Sequence, residues 1–289
     1  MSKKTAILIV ALGAIILSLE GLFLRNIELA NGYQILVFRS ISVFIIFALM
    51  SIITNLKISS TFNISITISD LLAAICLSIA FMCFVFSMLL TSVASTLLIL
   101  SIAPIVSVIL SIPILGERPS KIFYPIVLFI IIGVYIMING NIGYSNILGN
   151  IIALIGATCF ALTIIFSRKS LNKNNFIGGA IAGLITLIVA IFLCIYKEFD
   201  VIINTNDMII ILCMGLVSTG LGMTMVINGA RHLAAPEVSL IVLLETAFGP
   251  IWTWLFVNEI IKKSELLGGL IILSSLLIYF YLKLKSKVS

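Results

Sequence analysis

The chain is a near-continuous series of apolar stretches, each about 17–23 residues long, joined by links too short to hold a folded domain. About 20 apolar residues in a helix cross the hydrocarbon of a bilayer. Inside lipid the backbone must satisfy its own hydrogen bonds, so such stretches become helices. The pattern reads as ten spans: Thr5–Leu24, Gln34–Thr54, Ser69–Leu90, Val93–Leu115, Ile122–Ile138, Ile147–Ser167, Phe176–Tyr196, Met208–Ala230, Pro236–Val257 and Leu266–Leu282. The expected fold class is therefore all-α integral membrane, with the lipid bilayer as a constant partner. Only 10% of the residues are charged and mean hydropathy is +1.32, which leaves too few charges to cover a water-facing surface. The opening Ser2-Lys3-Lys4 and its apolar run are read as a retained first span. That run exceeds a signal-peptide core of roughly 7–15 residues, and no small-x-small cleavage site follows it.

The net charge of +6 is scattered through loops and tails, as membrane insertion would place it, so no nucleic-acid partner is expected. Lys and Arg collect in cytoplasmic loops. With the N-terminus inside, twelve of the 17 basic residues face the cytoplasm: Lys3, Lys4, Lys57, Arg118, Lys121, Arg168, Lys169, Lys173, Arg231, Lys283, Lys285 and Lys287. Four face outward (Arg25, Lys197, Lys262, Lys263), and Arg39 lies within span 2. Both termini are then cytoplasmic, as an even number of spans requires.

A shift of about 142 positions aligns the two halves. Ala11-Leu12-Gly13 through Arg25 lies against Leu154-Ile155-Gly156 through Arg168. Thr91-Ser92-Val93-Ala94 lies against Leu233-Ala234-Ala235-Pro236, and Glu117 against Glu259. The expected organisation is one repeat over residues 1–142 and a second over 143–289. Five spans per half make the second repeat inverted, a recurring plan of secondary transporters with the site near the midplane.

The most specific marks lie on spans 4 and 9. Pro104 is followed by Gly116-Glu117-Arg118, and Leu244-Glu245-Thr246 by Asn258-Glu259. These resemble the two EamA repeats of the drug/metabolite transporter superfamily, and the resemblance covers essentially the whole chain. Thr246 stands where proline is common, and Asn258 replaces the glycine before Glu259. The resemblance implies a ten-span carrier of two inverted five-helix halves in a bacterial inner membrane. It also implies export of an amino acid, another metabolite or a toxic compound, with uptake or exchange as the alternative.

An ionisable group within a span costs roughly 2.5–3.5 kcal/mol on insertion scales. Three stand out: Glu20, Arg39 and Glu245. Glu245 lies nine residues past Pro236, about 14 Å into span 9 and near the bilayer centre. Helical spacing places Ile241, Phe248, Gly249 and Trp252 on its face. A carboxylate beside aromatics suits an organic cation, a proton to be exchanged, or a structural hydrogen bond. Glu20 and Arg39 sit at similar depth on adjacent spans, where pairing offsets their desolvation; an ion pair and a substrate clamp fit equally.

Ser101, Pro104 and Ser107 on span 4, and Ser218, Thr219, Gly220 and Gly222 on span 8, interrupt otherwise apolar helices, which suits close packing or a cavity wall. Trp252 is the better pocket candidate of the two tryptophans. His232 with Arg231 and Glu237 reads as an inner gate or as insertion topology, and Glu117 and Glu259 as helix ends. The cysteines lie within spans and form no CxxC or His cluster, so disulfides, metals and cofactors are not expected. No phosphate loop or catalytic constellation is present, which points to a gradient-driven carrier of a small molecule with a coupled proton or counter-substrate. A channel and a lipid-modifying membrane enzyme are the other classes considered. A homodimer is left open.

Overall fold

The computed structural model describes residues 1–58, 66–91, 93–116, 123–139, 147–170, 174, 176–258 and 263–285. Among these the secondary structure is helical. The helices are α1 (Lys3–Arg25), α2 (Gly32–Ile58), α3 (Ile68–Leu90), α4 (93–115), α5 (Phe123–Asn139), α6 (Ile147–Lys169), α7 (Ile177–Tyr196), α8 (Thr205–Ala230), α9 (Ala235–Val257) and α10 (Lys263–Lys285). Seven described helices are long and apolar enough to cross a membrane; Ala103–Leu115, Phe123–Gly133 and Leu266–Tyr279 are shorter apolar pieces. Glu117 and Glu259 lie outside the described residues.

Four of these helices are irregular at mid-length. α1 breaks at Ser18-Leu19 into Lys3–Leu17 and Glu20–Arg25, and α4 breaks at Ser101-Ile102 into Val93–Leu100 and Ala103–Leu115. α9 breaks at Leu243 into Ala235–Val242 and Leu244–Val257. α8 carries a π-helical stretch over Met214–Gly222, where glycine is dense. Each break leaves backbone groups without their usual helical partners. In α1 these are met from outside, since Ser218 Oγ lies 3.1 Å from the carbonyls of both Ile16 and Leu17.

α4 and α9 match at a constant offset. Val93 and Ala235 start them, Leu100 and Val242 end their first halves, and Leu115 and Val257 end the second. Each partner stands 142 positions on. Both helices then close on a left-handed residue, Gly116 (φ 67°) and Asn258 (φ 56°). Asparagine is the non-glycine residue that tolerates this cap, which is why it can replace glycine here.

Packing follows the same exchange. α3 packs on α6 and α1 on α8; α3 on α7 and α2 on α8; α4 on α6 and α9 on α1. α2–α7, α4–α9 and α5–α10 pair across the halves. Small residues permit these approaches: a Cβ on Gly13 would meet the Gly222 carbonyl oxygen at 2.8 Å, where α1 touches α8.

Candidate functional site

The breaks converge on one cavity of about 70 Å³, room for a few waters or a small solute group. Its walls come from α1, α2, α3, α4, α6, α8 and α9 and are mostly apolar, with Leu77, Phe81, Phe84, Leu97 and Phe160 among them. The polar groups are Glu20, Arg39, Thr219, Ser239, Glu245 and Thr246.

Glu20 and Arg39 are 4% and 2% exposed and form an ion pair. Arg39 Nε donates to Thr219 Oγ1 at 3.0 Å, and Thr219 donates to Glu20 Oε1 at 3.2 Å. A second guanidinium nitrogen donates to the Phe81 carbonyl at 3.2 Å, and the group lies 4.9 Å from the Phe81 ring centroid. The cluster thus ties α1, α2, α3 and α8 together. Its geometry depends on Gly215: a Cβ there would meet the Arg39 carbonyl oxygen at 2.7 Å, so glycine lets α8 lie close enough for Thr219 to reach the guanidinium. The π-helical stretch that contains Gly215 aims Ser218 at α1 and Thr219 at the ion pair.

Glu245 is placed differently. It lies in the first turn of the second half of α9, as Glu20 lies in the first turn of the second half of α1. There the positive end of a half-helix dipole offsets part of the cost of burying a carboxylate. It lines the same cavity and interacts electrostatically with Arg39 and Glu20. Yet among the described residues no hydrogen bond or ion pair engages it. The site therefore holds two carboxylates and one guanidinium, with one carboxylate uncommitted.

Of the residues expected from sequence, the structure brings Glu20, Arg39, Thr219 and Glu245 together. Ser101 is buried at the α4 break and does not line the cavity. Phe248 and Trp252 do not line it either, which corrects their expected place in the pocket with Glu245. The cavity ends near Thr246, and these rings lie one and two turns farther along the half-helix that restarts at Leu244. They stack on each other at 6.3 Å, and Trp252 Nε1 donates to Ser18 Oγ at 2.8 Å, bracing α9 against the α1 break. His232 Nδ1 is buried without a hydrogen-bond partner among the described residues, away from the cavity lining. Ser239 carries no signal in the sequence, because a lone hydroxyl on an apolar helix has none until its neighbours are known, and Thr246 stands out there only as a departure from the family pattern, not as a cavity residue.

An all-helical bundle whose broken helices enclose a charged pocket is the build of a membrane transporter. A family model matches this chain twice, over residues 4–139 and 147–281, and the chain belongs to the EamA-like transporter family of the drug/metabolite superfamily. No curated protein matches it. A crystal structure of another protein aligns over 97% of this chain and 98% of its own with a TM-score of 0.77. Sequence identity is 14%, so that likeness speaks for the fold alone.

Proposed function

We propose that the chain is a ten-span secondary carrier of two inverted five-helix halves, residues 1–142 and 143–289, with both termini in the cytoplasm. It exports a small polar or amphipathic metabolite through the central cavity by alternating access. The paired family matches, the fixed offset between α4 and α9, and the exchange pattern of helix contacts support the repeat. The bias of Lys and Arg between loops supports the orientation.

The observation that carries the reading is the uncommitted Glu245 carboxylate in a cavity built from both halves. Cavity residues pair across the repeat as Leu77 with Thr219, Leu97 with Ser239 and Ala103 with Glu245. In these three pairs the second half contributes the polar member, while Phe81 with Met223 and Leu100 with Val242 are apolar on both sides. Since Glu20 and Arg39 neutralise each other, the pocket offers one net negative charge to a cationic or zwitterionic cargo, or to a proton exchanged for it. Phe81, Phe84 and Phe160 supply apolar and cation–π contact for the rest of the cargo.

A panel of small amines and amino acids screened for thermal stabilisation of the purified protein identifies ligands, because binding stabilises the folded state. A stabilising compound should cross proteoliposomes with saturable flux and show counterflow. Flux that rises linearly with concentration and shows no counterflow would identify a channel and contradict this reading.

A further inference from the structure

Two residue pairs flank the cavity where α4 and α9 cross, and they are repeat equivalents with different chemistry. On one side Ser107 Oγ meets Ser239 Oγ at 2.5 Å, both side chains buried. On the other, a Cβ on Gly249 would meet Leu97 Cδ1 at 2.7 Å, so a leucine rests on bare backbone. Gly249 stands 142 positions after Ser107, and Ser239 stands 142 after Leu97. One crossing thus occurs twice, on opposite sides of the cavity; Ser239 and Leu97 themselves line it.

We propose that these crossings are the two gates of the cavity: an inner gate latched by the Ser107–Ser239 hydroxyl pair, and an outer gate closed by Leu97 packing on Gly249. The inner and outer assignment rests on the carrier reading and orientation given above. Ser239 Oγ already lies 3.2 Å from the Ala235 carbonyl, four residues back on its own helix. With the Ser239 proton directed there, Ser107 donates to Ser239. When the pair parts, Ser239 keeps its carbonyl, and Ser107 can turn to the Ala103 carbonyl four residues back, as serines in helices do. The latch therefore opens without leaving a buried polar group unsatisfied, which keeps the opening cost small. Among the described residues the outer crossing shows apolar packing and a 3.3 Å bond from Thr246 Oγ1 to the Leu97 carbonyl. Shape closes it, so bulk at Gly249 wedges it apart.

The gates can be read with one cysteine. In the full chain with its five native cysteines replaced, Ala103→Cys places a thiol on the cavity wall. A membrane-impermeant cationic methanethiosulfonate is then applied to inverted and to right-side-out vesicles. Ser107→Ala should raise labelling from the cytoplasmic face about fivefold, equivalent to about 1 kcal/mol, and lower it from the outside. Gly249→Ala should do the reverse. Ser239→Ala and Leu97→Ala supply the same two arms if the first variants do not accumulate. Rates within twofold of the parent on both faces, or both arms shifting the same face, would overturn the gate assignment while leaving the carrier reading intact. A thiol that stays silent from both faces in the parent and every variant would overturn the carrier reading itself.

Discussion

Replacing Glu20 by glutamine leaves the Arg39 guanidinium buried with Thr219 and the Phe81 carbonyl but no counter-charge. Breaking a buried pair from one side costs about 3–5 kcal/mol, so Glu20→Gln or Arg39→Gln alone should lower the melting temperature of the detergent-solubilised protein strongly. The double variant should recover part of the loss, because no lone charge remains. Strict additivity of the two single effects would contradict the contact. The pair was legible in the sequence because two costly charges stood at matched depth on adjacent spans. Thr219 as their bridge was not: its reach depends on the π-helical turn over Met214–Gly222, which no local propensity announces.

The helix breaks carry the site, and their legibility was uneven. Ser101 and Pro104 mark the α4 break, since proline in the first turn of a helix lacks only an N–H that has no partner there. The α9 break at Leu243 contains no proline or glycine; its clue is the repeat, which places Leu243 opposite Ser101. The α1 break at Ser18-Leu19 has no sequence mark of that kind and depends on α8. Ser218 donates to the Ile16 and Leu17 carbonyls at the break, and the Ile16 carbonyl also accepts from the Leu19 N–H, so Ser218→Ala should cost about 1 kcal/mol, chiefly by loss of the bond to Leu17. Thermal unfolding checks this, and an unchanged melting temperature would show that the break is satisfied without Ser218. Phe248 and Trp252 follow Glu245 on one continuous half-helix, Leu244–Val257, but spacing along a helix gives the face a residue occupies and not how far along it a cavity extends.

At the scale of the whole molecule, apolar period and length outlined the described helices to within a few residues, and the offset of 142 separates the matching ends of α4 and α9. The sequence did not show that α4 and α9 meet around one pocket, because that depends on packing between helices far apart in the chain. Reporters fused after Lys287 and within the Arg168–Lys173 loop should read cytoplasmic, and those within the Lys197–Asp207 loop external; an external C-terminus would refute the inverted halves. The central claim is that the uncommitted carboxylate of Glu245 does the work of transport. Glutamine keeps its shape and hydrogen-bonding capacity but removes the charge and the exchangeable proton. The deciding measurement is proteoliposome flux of a compound that stabilises the wild-type protein, compared between wild type and Glu245→Gln at equal incorporation and equal melting temperature. The account predicts near-complete loss of coupled flux in the variant. Wild-type flux with unchanged pH dependence would contradict it.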